Sequence, residues 1–384
     1  MSSQKTEAPT PTLSFDIPKK CKAGVVVNEG PDFQVEVRDV DVPEIGQNEC
    51  LIKLNATGLC STDIHWMMNS WAVPKMSAMG VQCAGHEGAG VIVKVGSNVK
   101  RLKVGQRAGL KPIESTCGAC ELCRSGRETY CFGARLTGLH CDGTESPFEE
   151  MWYNKLTNDR LQAHISKNYT TLIPDGVSDY VAGPAMCSAS TVYASIKAAN
   201  LSWGQWAVFP GGGGGVGIQG VQLAVAMGLR PLVVDTGDEK RRLSMEMGAE
   251  HFVDFKESKD PIAEVLSLTD GGAHAVFCTA APSYPTAQKY LGLRAGAQLM
   301  CIGLPPAGKF HIDVNPTEIV SRGQSIRGTF VGSMAEVDEA LGFAQRGKLR
   351  LTPTVVGLSK FNESVQKLKR GEVAGRIVVD FNIE

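Results

Sequence analysis

No stretch of this 384-residue chain reaches the about 18 consecutive apolar residues that suggest a membrane-spanning helix, so no span is expected. Neither sign of charge is in excess: 39 Lys and Arg stand against 40 Asp and Glu, a formal net charge of −1. Proteins that bind nucleic acid, and polybasic proteins that bind membrane surfaces, normally show a basic surplus, so both classes are set aside. The first 20 residues carry no Arg and no apolar segment, so neither a secretory signal nor a transit peptide is expected, and the expected location is cytoplasmic. Internal repeats and low-complexity tracts are also missing. Against these absences stand 43 glycines, which cluster, and 12 cysteines, four of them within 15 residues. In a chain without a secretion signal, clustered cysteines point to metal binding or chemistry rather than to disulfides.

At roughly 100–200 residues per domain the length allows two or three domains. From residue 22 to 153 short runs rich in Val and Ile alternate with Gly and Pro, and strands are predicted at 24–27, 34–37, 49–54 and 88–95. The rhythm then changes. Strands at 205–209, 231–234, 251–255, 275–279, 298–302 and 325–330 alternate with helices at 218–227 and 239–247, a pattern that implies a parallel, doubly wound sheet. A helix at 334–345 and a strand at 375–381 close the chain.

The second region opens on Trp206-Ala-Val-Phe-Pro-Gly-Gly-Gly-Gly-Gly-Val-Gly217, a glycine turn between strand and helix. Gly212, Gly214 and Gly217 match the spacing G-x-G-x-x-G. The first allows the tight turn, the second lets backbone approach a pyrophosphate, and the third packs helix on strand. The anion then meets free N–H groups and the positive end of the helix dipole. Gly211, Gly212, Gly214, Gly215, Val216 and Gly217 are therefore the candidate phosphate cradle. Asp235 ends the next strand, 18 positions after Gly217, where a carboxylate binds both ribose hydroxyls and repels a 2′-phosphate. NAD is favoured over NADP. Lys240 is placed either to pair with Asp235 or to reach the ribose.

Cys117-x-x-Cys120-x-x-Cys123-x₇-Cys131 supplies four thiolates, a set that closes the tetrahedral shell of one structural zinc. An iron–sulfur cluster is the second reading. Its bacterial spacing brings the fourth cysteine after three residues and before Pro, whereas here it comes after seven and before Phe132. Three further pieces, Cys60-Ser-Thr-Asp-Ile-His65, Gly85-His86-Glu87-Gly88 and Cys187, are individually ordinary core residues. Together they offer two thiolates and an imidazole, which leave a fourth position open on a catalytic zinc.

With these motifs in order, and with Gly375-Arg-Ile-Val-Val-Asp380 at the end, the chain resembles the zinc-containing alcohol dehydrogenases of the medium-chain dehydrogenase/reductase family, the fungal type above all. The resemblance runs from about residue 22 to 384. It implies an α/β fold, a Rossmann doubly wound parallel sheet plus a β-rich GroES-like catalytic domain with a structural zinc lobe at about 115–135. It implies boundaries at 1–188, 189–331 and 332–384, the last returning to the catalytic domain. It implies NAD and two Zn²⁺ per subunit, one catalytic and one structural. Cys60, His86 and Cys187 would hold the catalytic ion, with Glu87 as an alternative fourth ligand. Asp63 would fix the tautomer of His86. Thr62 would take the proton of the alcohol, which would pass through the nicotinamide ribose hydroxyl to His65. Arg376 would pair with the cofactor pyrophosphate. The implied partners are a small alcohol or carbonyl and further copies of the chain, a tetramer rather than a dimer. A reductase of another carbonyl or of an activated double bond is the alternative, although zinc-free relatives of that kind usually lack the ligand set.

Three departures bear on the substrate. Ser61 stands where the family often has a basic residue. Trp66-Met-Met-Asn-Ser-Trp71, with Met76 and Met79, follows His65, and Pro112 takes the place of a second pocket tryptophan. A pocket roomier than ethanol needs is expected, with packing of these side chains in the core as the plainer reading. Residues 145–160 read as an insertion that edges the cleft or covers a subunit surface, or as a plain surface loop, and the interrupted strand is expected to resume near Leu161.

Overall fold

The structure is a computed structural model and describes residues 14–144, 148–152 and 169–384. Two sheets organise it. The first unit begins with the antiparallel pair β1 (Lys20–Val27) and β2 (Gln34–Asp41). Then come β3 (Glu49–Gly58), β4 (Gly88–Val95), β5 (Arg107–Leu110), β6 (Ile113–Ser115), β7 (Arg135–Leu136), β8 (Phe148–Trp152) and β9 (Thr170–Leu172). β6 pairs with β7 in the cysteine-rich lobe. The predicted strands at 24–27, 34–37, 49–54 and 88–95 all fall within β1 to β4.

The second unit contains β10 (Trp206–Pro210), β11 (Arg230–Asp235), β12 (His251–Asp254), β13 (Ala275–Cys278), β14 (Gln298–Cys301) and β15 (Ser325–Gly328). All its pairings are parallel, in the order β12-β11-β10-β13-β14-β15. This is the doubly wound order in which the first strand lies mid-sheet and ligands bind at the carboxyl ends of the strands. Alternate residues of β10 show why it is central. Ala207 and Phe209 enter one apolar core, and Val208 enters the core on the opposite face. A strand covered on both faces reads as a continuous apolar run, as this one does.

The chain then returns. β16 (Thr354–Gly357) and β17 (Ile377–Asp380) join the first sheet, whose order is β16-β17-β3-β4-β5-β9. β3 is long enough to pair with β8 along its first half and β17 along its second, with β4 on its other edge. β8 lies inside the segment read as an insertion. The structure thus corrects that reading: 148–152 are part of the sheet, and the expected strand near Leu161 and the aromatic Tyr153 lie outside the described residues.

One contact ties the second unit to the end of the chain. Gly375 N donates to Gly213 O (2.8 Å), and Gly214 bridges Gly375, so the glycine turn is pinned against the residue preceding Arg376.

Candidate active site

Three chain segments meet at one buried point. Cys60 follows β3 and caps the helix Ser61–Met67. His86 and Glu87 immediately precede β4. Cys187 sits in a π-helical turn, Ala185–Ala189, inserted between the helices Asp179–Pro184 and Ser190–Ala199. A π turn widens the helix by one residue and often marks a functional position. The ligand atoms of Cys60, His86, Glu87 and Cys187 lie within 4.8 Å of one another, and all four residues are buried.

The neighbours orient these groups. Asp63 Oδ1 lies 2.6 Å from His86 Nδ1, which leaves Nε2 for a metal. The other oxygen of Asp63 accepts from Cys60 N–H at 2.9 Å. One carboxylate therefore fixes two ligands. Burial penalises the imidazolium of His86, but the charge and hydrogen bond of Asp63, joined by Cys60, outweigh it and hold the pKa up at about 10. The thiol pair divides its charge unequally. Hydrogen bonding from Cys187, with His86 and Arg376 nearby, pulls Cys60 well below the usual thiol value, while Cys60 and burial push Cys187 well above it. Zinc takes two sulfurs and an imidazole when a fourth position stays open, and on binding it displaces the Nε2 proton that His86 otherwise holds, so the residues fit a catalytic ion.

Glu87 has a second partner. Its carboxylate forms an ion pair with Arg376, and both side chains are buried. Gly58 and Gly183 leave room for it: a Cβ at Gly58 would collide with the carboxylate, and one at Gly183 would lie 2.5 Å from Glu87 O.

Cys117, Cys120, Cys123 and Cys131 form a second cluster of ligand atoms within 4.8 Å. Their Sγ–Sγ separations include 3.5, 3.8 and 3.9 Å. With Zn–S near 2.3 Å, the edge of a tetrahedron is about 3.8 Å, so a single zinc fits between these sulfurs. Backbone N–H groups of Ala119 and Cys120 help bring Cys117 down to about 6.

The glycine turn is built as expected, with one change of role. Gly211, not Gly212, takes the left-handed conformation (φ 84°) that the turn requires. A Cβ at Gly212 would press on Val233, and one at Gly217 would lie 2.4 Å from Gly212 Cα, so those two glycines serve close packing. A Cβ at Gly214 would meet only Gly211 O, at 3.4 Å, and Gly215 lies against the Arg376 side chain. Asp235 ends β11. Its Oδ2 accepts from Gly213 N–H (3.1 Å), and its Oδ1 from Thr236 N–H (2.9 Å) and Lys240 Nζ (3.0 Å). Of the two expectations for Lys240, the pair with Asp235 is the one seen.

Known proteins match this arrangement. The family described as "Alcohol dehydrogenase GroES-like domain" matches residues 46–155, and "Zinc-binding dehydrogenase" matches 215–346. An alcohol dehydrogenase of Schizosaccharomyces pombe is 36% identical over 369 residues, 95% of this chain and 99% of that protein. Alcohol dehydrogenase 1 of Neurospora crassa is also 36% identical, over 95% of this chain and 98% of its own length. The chain belongs to the zinc-containing alcohol dehydrogenases. It is a zinc-dependent alcohol oxidoreductase of the medium-chain type. The alcohol dehydrogenase of the archaeon Aeropyrum pernix has a similar structure, with a TM-score of 0.79 at 25% identity over 94% of this chain and all of that one. No helix among the described residues is long and apolar enough to cross a membrane.

The expected pocket methionines are elsewhere. Met76 is buried in the core with Phe33, Met67 and Phe361, and Met79 is exposed. Trp66 belongs to the same core, edge-on to His86 with centroids 5.2 Å apart. Local spacing does not distinguish a residue facing a cleft from one facing the helix Phe361–Lys369, which lies some 300 positions away. Trp71 stacks on His65 with centroids 4.9 Å apart. Thr62 and His65 lie three residues apart on the helix Ser61–Met67, hence on one face. Ser70, which no motif singled out, contacts His65 directly.

Proposed function

We propose that Cys60, His86 and Cys187 hold the catalytic zinc of an NAD-dependent alcohol dehydrogenase, with Glu87 as the alternative fourth ligand and Cys117, Cys120, Cys123 and Cys131 around the structural zinc. The convergence of two thiols and one imidazole from three segments carries this reading. When bound, zinc supplies Lewis acidity that lowers the pKa of an alcohol hydroxyl, and NAD supplies the hydride acceptor. The chain's own groups do the rest. Asp63 keeps His86 in the tautomer that presents Nε2. The Thr62 hydroxyl takes the substrate proton, and His65, one turn along the helix, takes it toward solvent. Burial lowers the pKa of His65, although the Cys60 charge acts the other way, so the imidazole is neutral and able to accept near pH 7.

The glycine cradle from Gly211 to Gly217 holds the pyrophosphate, with Arg376 beside it. Asp235 selects NAD. A 2′-phosphate would meet a carboxylate already fixed by two backbone N–H groups and Lys240. A substrate bulkier than ethanol remains our reading, supported by Pro112 in place of an aromatic side chain; Met76 and Met79 give it no support. We divide the chain at about residues 188 and 331, following the two sheets. A cytoplasmic homotetramer is the state in which we expect it to act.

The test is NADH formation from a panel of primary, secondary and aromatic alcohols, with NAD or NADP, beside zinc counting. Two zinc ions per chain and NAD-dependent oxidation are expected. Cys60→Ala or His86→Ala should hold one zinc, remain folded and lose oxidation. Full turnover in a variant that has lost that zinc would overturn the reading.

A further inference from the structure

Helix Ser61–Met67 ends on an arrangement that the proton path does not yet use. His65 Nδ1 lies 2.6 Å from Ser70 Oγ. The imidazole is half-buried and stacked on Trp71, with 23° between the rings. Ser70 and Trp71 are themselves fixed. Ser70 N–H donates to His65 O (3.0 Å), Ala307 N–H donates to Ser70 O (3.0 Å), and Trp71 Nε1–H donates to Pro305 O (3.1 Å). The last two bonds reach the loop that follows β14, so they clasp this turn of the first unit to the second.

A neutral histidine carries its proton on one nitrogen and a lone pair on the other, and its partners decide which. A hydroxyl can serve either way. Here the Ser70 hydroxyl has an acceptor of its own in His65 O, at 3.4 Å. With its proton directed there, its oxygen lone pairs face Nδ1. We infer that Ser70 is a positioning residue for His65: its hydroxyl accepts the Nδ1–H and thereby leaves the lone pair on Nε2, the nitrogen that takes the substrate proton. This rests on the reading of His65 as proton acceptor. Among the described residues no carboxylate forms an ion pair with His65, and the one charge acting on it is that of Cys60. The serine is therefore the group that chooses the tautomer.

The experiment compares Ser70→Ala, Ser70→Thr, His65→Ala and the Ser70→Ala/His65→Ala double variant by kcat, KM and the pH profile of kcat. Ser70→Ala removes the hydroxyl and leaves the backbone bonds to His65 and Ala307. Zinc content and melting temperature verify that it is folded. Expected is a fall in kcat of about tenfold near pH 7 that recovers at higher pH, with KM for NAD little changed; general-base contributions are about 10²–10⁴-fold, and a wrong tautomer forfeits part of one. Ser70→Thr should restore the rate, and Ser70→Ala should cost nothing further in the His65→Ala background. A slow His65→Ala with a wild-type profile for Ser70→Ala would overturn the role of Ser70 alone. An unchanged His65→Ala would overturn the reading of His65 and this inference with it. Additive losses in the double variant would show that Ser70 acts elsewhere.

Discussion

Arg376 and Glu87 form a buried ion pair between the glycine turn and the sulfur ligands. The arginine side chain leans on Gly215, and the carboxylate reaches the cluster of Cys60, His86 and Cys187. If Arg376 meets the cofactor phosphates as we propose, one side-chain pair joins them to the metal ligands. Burial makes the arrangement costly to disturb, because it already lowers the pKa of Arg376 from its ordinary value.

Replacing Arg376 alone should therefore be far worse than replacing both partners. Arg376→Met leaves the Glu87 carboxylate buried and unpaired, an outcome that costs about 3–5 kcal/mol. Arg376→Met with Glu87→Gln should regain most of that stability. NADH affinity should stay weak in both, since the cation beside the turn is gone in each. Denaturant unfolding and NADH fluorescence titration check the two halves separately. A double variant no more stable than the single one would contradict the role assigned to the pair.

Asp235 should control the choice of cofactor. Asp235→Ser keeps a small hydrogen-bonding group but releases Lys240, now 3.0 Å from the carboxylate, as a free cation for a 2′-phosphate. Hydrogen bonds to charged groups contribute about 1.5–3 kcal/mol, so kcat/KM for NAD should fall about 10- to 100-fold. The rate with NADP should rise. Equal losses with both cofactors would mean that Asp235 serves only to hold the Gly213 loop.

The lobe should lose order without its zinc while the parallel sheet keeps its own. Cys131→Ser removes one of four ligands from a segment that has few apolar contacts of its own. Its ties to the body include Tyr130 OH accepting from Phe330 N–H (3.1 Å), Thr116 with Tyr169 OH (2.9 Å), and Arg135 with Glu114 (2.7 Å). Metal binding in such a segment is folding free energy. Zinc should drop from two to one per chain, and limited proteolysis should cut within about 115–135 first. Protection equal to the parent would argue against a structural ion.

Much of this is legible in the sequence. The strands of the second unit are legible because most are short apolar runs preceded closely by glycine, and the predicted helix at 334–345 coincides with Met334–Gln345, whereas the helices Pro261–Leu268 and Pro316–Arg322 escape the reading. The cysteine lobe is legible because its ligands are adjacent in sequence. The Glu87–Arg376 pair is not: 289 positions separate the two. The role of Gly211 is not legible, because five consecutive glycines leave the register of the turn undetermined until Gly217 packs on Gly212. Ser70 carries no signal at all, since a serine five residues after a histidine is ordinary and its meaning comes from the clasp to Pro305 and Ala307.

Stability should fall as pH drops below about 6.5, and His274 should account for part of the slope. Its Nδ1 accepts from Trp206 N–H at 3.0 Å, so the folded chain needs that nitrogen unprotonated. Burial, and then the Arg294 guanidinium 3.4 Å from Nε2, hold its pKa below the ordinary histidine value of about 6.5. Between that ordinary value and the lower folded one, the unfolded chain binds a proton that the native state refuses. Unfolding gains from acid in that window, and above it the penalty is absent. His274→Asn keeps an acceptor for Trp206 N–H and removes the titration. Burial also lowers His65 and His140, so the slope should shrink rather than vanish. Denaturant midpoints measured at about pH 5.5 and about pH 7.5 decide it: the gap between them should be smaller in the variant than in the parent, and an equal gap would show that His274 titrates alike in both states.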